Sequence, residues 1–349
     1  MTGSGTGFAR AFCVTGLTAA SMLAAPAAMA QSAVESFFRG QTIRIVVASG
    51  PSGGFDTYAR LLARHMGRFL PGNPTFVVQN MPGAGGLRAA GYIAKVAPRD
   101  GLTFGAMQGG MVKAPLMGMV GADYESPTMR WIGSLNSEVH TCVAWHTSGI
   151  TTLKQVMEKE LIVGAAAGAD SELIPMAYNS LLGTKFKVIA GYQDGPRILL
   201  AMQRQEVYGR CGWSWSSIVV QHPDWIKDKI IKVLIQVPTR HPDLTDVPLA
   251  MDLAKNADDR QALEFLFGHL VMSRSYVLPP DVPAERTAAL RTAFDAMVKD
   301  PAVIADFAKA NHELTPVSGA DLQARVDRIY GTPKHVIEMA LKSIAGAKR

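Results

Sequence analysis

Ile43-Arg-Ile-Val-Val-Ala-Ser-Gly-Pro-Ser-Gly-Gly-Phe-Asp56 is the stretch from which the rest of the chain is read. Ile43 to Ser49 is β-branched with too little alternation for a sheet wet on one face, so it reads as a parallel strand buried on both faces. A Gly-rich turn follows. The next segment, Thr57 to Leu70, places Tyr58, Leu61, Leu62, Met66 and Phe69 on one helical face, with Asp56 in position to cap it and Pro71-Gly72 to stop it. Strand, glycine turn and capped helix together are the unit of an open α/β sheet.

The unit recurs outward from this point. Thr75 to Val78, the turn Met81-Pro-Gly-Ala-Gly-Gly86 and a helix through Val96 repeat it, and a third strand, Leu102 to Met107, follows Pro98-Arg-Asp-Gly101. An irregular Gly- and Met-rich stretch leads to a long strand-like run, Trp131 to Trp145. The grammar then restarts: a helix at Leu153 to Lys159 with the capping-box pair Thr152 and Gln155, a strand at Leu161 to Ala165, the turn Ala166 to Ser171 and a helix to Leu182. Strand Lys185 to Ala190, the turn Gly191 to Pro196, a helix to Gln205, strand Glu206 to Cys211 and a return strand Ile230 to Val237 follow. Helices dominate from Pro242 onward, interrupted by an edge-like strand at Tyr276 to Leu278 before Pro279-Pro280. We therefore expect a two-domain α/β fold, each domain a mostly parallel sheet flanked by helices. Residues 31–135 plus 237–349 form a discontinuous first domain, and residues 136–236 form the second.

Residues 1–30 read as a cleavable export signal: Arg10 is the positive flank, Ala11 to Ala27 is apolar, and Ala28-Met29-Ala30 is a small-x-small cleavage pattern. Removal would leave 319 of the 349 residues and take the formal charge from +6 to +5. That excess suits an anionic ligand, yet without a Lys/Arg run it excludes a nucleic-acid footprint. Of the three cysteines only Cys142 and Cys211 lie beyond the signal, a candidate disulfide in an oxidising compartment, two buried thiols being the alternative.

Three loops lead from a strand end into a helix: Gly50 to Asp56, Gly164 to Ser171 and Gly191 to Pro196, with Pro82 to Gly86 a fourth of the same kind. Each can aim unpaired backbone N–H groups and a positive helix end at an anion, although tight-turn chemistry explains any one of them equally well. Phosphate-transfer and hydrolytic motifs are missing: there is no GxxxxGKS/T, GxGxxG, GxSxG or HExxH, and the eight histidines are scattered. No metal, cofactor or catalytic residue is expected. In Gly212-Trp-Ser-Trp-Ser-Ser217, alternation sends one of Trp213 and Trp215 toward the cleft, and Trp213 is our choice.

At these loops the sequence resembles the substrate-binding receptors of tripartite tricarboxylate transporters, the Bug or TctC-like periplasmic binding proteins. Ile43-Arg-Ile-Val-Val with Gly53-Gly54-x-Asp56-x-x-Ala59-Arg60, Asn80 to Gly86, Gly164 to Ser171, Gly191-Tyr-Gln-Asp-Gly195 and the late Pro279 to Arg286 and Asp300-Pro301 carry the likeness. It implies a Venus-flytrap fold that closes on a carboxylate held by loop amides, small hydroxyls and water. The residues so implied are Ser52, Gly53, Gly54, Phe55, Gly168, Ala169, Asp170 and Ser171, and from the remaining loops we add Ala84, Gly85, Gln108, Asp194 and Trp213 as expected substrate-binding residues. Two departures stand out: Phe55 replaces the usual Thr, and Asp170 adds a negative charge where Gly is favoured, so its carboxylate should cap the helix or meet an amine on the ligand. The reading is a monomeric periplasmic receptor for a small organic anion, serving membrane permease subunits. Its rivals are a ligand-sensing subunit for a membrane signalling protein and a carboxylate-processing hydrolase or transferase.

Overall fold

The computed structural model describes residues 1–3, 25–51, 54–193 and 195–345. Residues 4–24, which hold most of the apolar part of the expected export signal, and Ser52, Gly53 and Asp194 among the expected site residues, lie outside the described residues.

Among the described residues eleven strands form two sheets. In chain order they are β1 (Thr42–Val47), β2 (Thr75–Asn80), β3 (Thr103–Met107), β4 (Arg130–Ser134), β5 (His140–Trp145), β6 (Leu161–Ala165), β7 (Phe186–Ala190), β8 (Gly209–Ser214), β9 (Ile231–Val237), β10 (Ser275–Leu278) and β11 (Val317–Ser318). The first sheet has the order β11-β4-β10-β3-β1-β2 and the second β7-β6-β8-β5-β9. β1 pairs in parallel with β2 and β3, and β6 with β7 and β8. One reversed strand is inserted in each sheet: β10 lies antiparallel between β3 and β4, and β5 antiparallel between β8 and β9. The sheets are mixed, and apart from the small edge strand β11 the remaining strands of each run one way.

This topology corrects several readings of the sequence. Trp131 to Trp145 is not one strand, because β4 belongs to the first sheet and β5 to the second, and residues 135–139 cross between them. Tyr276 to Leu278 is not at an edge. Its residues are buried on both faces, and the prolines after it cannot extend the ladder. β8 runs three residues later than the pattern suggested, so Trp213 falls inside it rather than after it. The Thr57 to Leu70 helix begins earlier, at Gly54, and tightens to a 3₁₀ turn over Met66–Phe69, so Asp56 lies in its first turn rather than capping it. The capping box at Thr152 and Gln155 is present.

The crossing between sheets is well tied. Leu135 N–H donates to Arg274 O at 3.1 Å, Glu138 N–H to Leu270 O at 3.1 Å, and Thr315 N–H to Leu135 O at 3.2 Å. One apolar core joins Val46, Ala48 and Met107 of the first sheet to Cys142, Leu161 and Val163 of the second through Leu263, Phe267 and Met272. Helix Ala257–Phe267 and the 3₁₀ turn Gly268–Met272 are thus the apolar bridge between the two lobes. Cys142 and Cys211 are disulfide-bonded, stapling β5 to β8. No helix among the described residues is long and apolar enough to cross a membrane.

Candidate functional site

In an open α/β sheet the ligand crevice lies where strand order reverses, outside the strand C-termini. In the first sheet that point lies between β1 and β3, and in the second between β6 and β8. Four segments therefore face the crevice: the loop after β1, Gln108 after β3, the loop after β6, and Ser214 to Ser217 after β8.

The loop after β1 is clamped by Asn80 at the end of β2, whose amide donates to Ser49 O at 3.0 Å and to Asp56 Oδ1 at 2.9 Å. Asp56, only 2% exposed, is also paired with Arg60 at 2.9 Å. Its role is to hold the turn from behind, leaving Gly54 to line the crevice.

In the second lobe the loop after β6 differs from expectation. Gly168 N–H donates to Glu172 Oε2 at 2.7 Å, and Ala166 N–H donates to Ser171 Oγ at 3.0 Å. The chain fills part of its own anion cradle with a carboxylate one turn into the helix Asp170–Leu182, so the Gly168 amide is not offered to a ligand. Ala169 is the N-cap and carries no side-chain cap bond. Asp170 is therefore not a cap: its carboxylate turns to His140, with Oδ2 3.4 Å from Nδ1.

A cavity of about 380 Å³ lies between the lobes. Gly54, Tyr58 and Arg274 line it from one side, Ser216 and Ser217 from the other, and Glu138 of the crossing forms part of its wall. Arg274 precedes β10 and is its central feature. Its guanidinium lies 4.4 Å from the Phe55 ring centroid and 5.1 Å from that of Tyr58, so Phe55 serves as a stacking face for the cation. Nη1 donates to Ser273 O at 2.8 Å, and Nη2 is 3.3 Å from Glu138 Oε1. Nε is buried without a hydrogen-bond partner among the described residues.

Behind Arg274 runs a line of alternating charge. Glu138 Oε2 shares a hydrogen bond with His140 Nε2 at 3.2 Å, and His140 reaches Asp170 on its other nitrogen. Burial pushes the Glu138 carboxyl upward, but the His140 hydrogen bond and the charges of His140 and Arg274 outweigh it and hold the group below the ordinary value. Burial likewise opposes the His140 charge. Glu138 and Asp170 overcome it, against a smaller opposing push from Arg210, and raise the imidazole above its usual range. Farther along, burial brings Lys113 down to about 8 despite Asp170, and its ammonium donates to Leu266 O. Burial, with Lys113 and His140 adding to it, keeps His269 neutral.

Of the expected site residues that are described, only Gly54 lines this cavity, and Phe55 packs under its cation. Ala84 and Gly85 form a 3₁₀ turn after β2, and Gln108 caps another after β3; none of them lines it. Trp213 is 3% exposed and packs among Arg210, His222 and Trp225 in the second-lobe core. Its neighbour Trp215 instead lines a second cavity with His312 and Glu313. Sequence reasoning missed Glu138, Arg274, Ser216, Ser217, His312 and Glu313. Only the serines carried a signal, because they follow β8 as Gln108 follows β3.

No family model matches the chain. A UPF0065 protein of Agrobacterium vitis is 25% identical over 278 residues, covering 76% of this chain and 74% of its own length. A TctC solute-binding protein from Polaromonas superposes with a TM-score of 0.69 at 17% identity, over 85% of this chain and 98% of that one. MatC of Rhodopseudomonas palustris, solved with bound malate, gives 0.55 at 20% identity over 85% and 99%. Another Rhodopseudomonas palustris protein, solved with adipate, gives 0.55 at 19% over 86% and 97%. The chain shares the two-domain periplasmic-binding-protein fold of the TctC solute-binding protein.

Proposed function

We propose that this chain is an exported solute-binding protein that captures a small organic carboxylate between its lobes and delivers it to the permease of a tripartite tricarboxylate-type transporter. The observation that carries the reading is the cavity between the lobes, with one guanidinium stacked on Phe55 in its wall and two serine hydroxyls opposite. A stacked arginine and small hydroxyls suit a carboxylate and supply no nucleophile activated by a base, which favours reversible binding over catalysis. The likeness to receptors solved with malate and adipate supports the same ligand class.

We divide the chain into residues 31–135 with 237–349 and residues 136–236. The lobes are joined by the crossing at residues 135–139 and by the apolar bridge Ala257–Phe267 with Gly268–Met272, and closure would pivot there. A ligand touching both lobes then shifts the open and closed populations by its extra affinity for the closed form. The signal-like residues 1–30 support export to the periplasm.

Titration of the mature protein with a panel of mono-, di- and tricarboxylates, read by tryptophan fluorescence and melting temperature, tests the proposal. Saturable stabilisation by at least one acid is expected, and Arg274→Met should abolish it without unfolding the protein. No response across the panel would remove the reading.

A further inference from the structure

His140 does not line the cavity between the lobes, yet two contacts join it to the guanidinium that does. Glu138, on the crossing, places Oε1 3.3 Å from Arg274 Nη2 and shares Oε2 with His140 Nε2 at 3.2 Å. His140 is the first residue of β5, so this run of charge passes from the cavity wall through the crossing into the second sheet. On the far side of the ring Nδ1 is buried without a hydrogen-bond partner among the described residues, and Asp170 Oδ2 lies 3.4 Å away.

A neutral imidazole has one N–H and one lone pair. With a carboxylate at ion-pair distance from each nitrogen, the neutral ring must aim its lone pair at an anion, whereas the imidazolium presents a proton to both. The other charged groups around it lie on separate elements. Burial and Arg210 of β8 oppose the His140 charge, and Glu138 and Asp170 outweigh them. His269, on the 3₁₀ turn Gly268–Met272, is held neutral by burial, with Lys113 and His140 adding to it. Lys113 itself acts on the cluster through Asp170, and Arg274 through Glu138. His140 is buried, so solvent screens its charge little.

The Glu138 carboxylate is therefore shared. While His140 is charged, Glu138 divides its attraction between two cations; once the proton leaves, its negative charge falls on Arg274 alone and offsets the guanidinium toward an arriving anion. An anion at Arg274 in turn strengthens the hold of the cluster on the His140 proton, because such coupling is reciprocal. Resting on the carboxylate-receptor reading above, we infer that His140 is a positioning residue that acts through Glu138, setting how much of the Arg274 charge a bound carboxylate meets and coupling its capture to uptake of a proton at His140.

Calorimetric titration of the mature protein from pH 6.5 to 9 tests this, with acetate, benzoate, malate, adipate and tricarballylate as probes and two buffers of different ionisation enthalpy to count protons. Carboxyl groups titrate below this range, and His312 in the cavity wall is pushed below its ordinary value by burial and Arg274, so neither supplies the proton. Affinity for the acids that bind should fall at least about fivefold as pH rises, with proton uptake on binding above the folded pKa of His140. Asp170→Asn, at a side chain 32% exposed and tolerant of substitution, should move the fall to lower pH. His140→Gln should abolish both the fall and the uptake, leaving an affinity near that of the wild type at high pH. The proton count on the wild type and the Asp170→Asn shift stand even where His140→Gln does not fold. Binding with no uptake and less than a twofold change across the range, or a fall that survives in His140→Gln, would overturn the inference and leave the carboxylate receptor intact. Absence of binding by all five acids would instead overturn the receptor reading and this inference with it.

Discussion

Glu138→Gln is the most informative single substitution, because the Glu138 carboxylate holds Arg274 on one side and His140 on the other. The relevant distances are 3.3 Å to Arg274 and 3.2 Å to His140, and the three side chains are 21%, 18% and 10% exposed. Each pair is worth a gross attraction of about 5 kcal/mol at an effective dielectric of about 20. Desolvation cancels much of that, and removing one partner of a buried pair costs about 3–5 kcal/mol. Partial exposure puts Glu138→Gln at the lower end, about 3 kcal/mol. The pH dependence has a definite sign. The raised folded pKa of His140 contributes stability that is complete below its unfolded value of about 6.5 and is lost as pH rises through the folded value. The lowered folded pKa of Glu138 contributes stability present above its unfolded value of about 4.3 and lost as pH falls through the folded value. The gap between wild type and Glu138→Gln should therefore be widest at about pH 5–6.5 and narrow above the folded pKa of His140. Urea denaturation of both proteins from pH 4.5 to 9 measures it. A gap below about 1 kcal/mol at pH 6, or one that widens steadily to pH 9, would refute the reasoning.

Cys142 and Cys211 close a loop with a sequence separation of 69, for which chain entropy gives a loss of about 4 kcal/mol in the Cys142→Ala/Cys211→Ala protein, measurable as a lower urea midpoint in the wild type after reduction as well. Gly212 has φ 64°, and a Cβ there would sit 2.5 Å from Asp170 C and 2.6 Å from Ser171 N. Gly212→Ala should cost at least about 2 kcal/mol by combining left-handed strain with displacement of the Asp170–Leu182 helix start, and should weaken ligand binding in calorimetry. Glu172→Gln removes the charge from the bond to Gly168 N–H and should cost about 1 kcal/mol in thermal denaturation, with carboxylate affinity rising because one anion leaves the second-lobe loop.

How much of this was legible beforehand depends on the range of the interaction concerned. Residues 161–165 read as a strand, Thr152 and Gln155 as a capping box, and the glycine turns as strand-to-helix connections, because each is settled by neighbours a few positions apart. The α/β class follows from the alternation of such units. Pairing order did not follow: β10 and β5 pair with strands distant in the chain, and only close packing decides between which strands they insert. The site suffered the same limit. Arg274 and Glu138 are unremarkable in sequence, the partner of Asp170 could not be read from it, and each loop by itself resembles an anion cradle. Folding turned Glu172 back onto one cradle, stacked Arg274 on Phe55 and set Asp170 against His140. Short-range periodicity and turn chemistry thus determined the elements of this protein, whereas the partner of each buried charge was decided by tertiary structure, since electrostatic pairing acts through space between residues the chain does not place together.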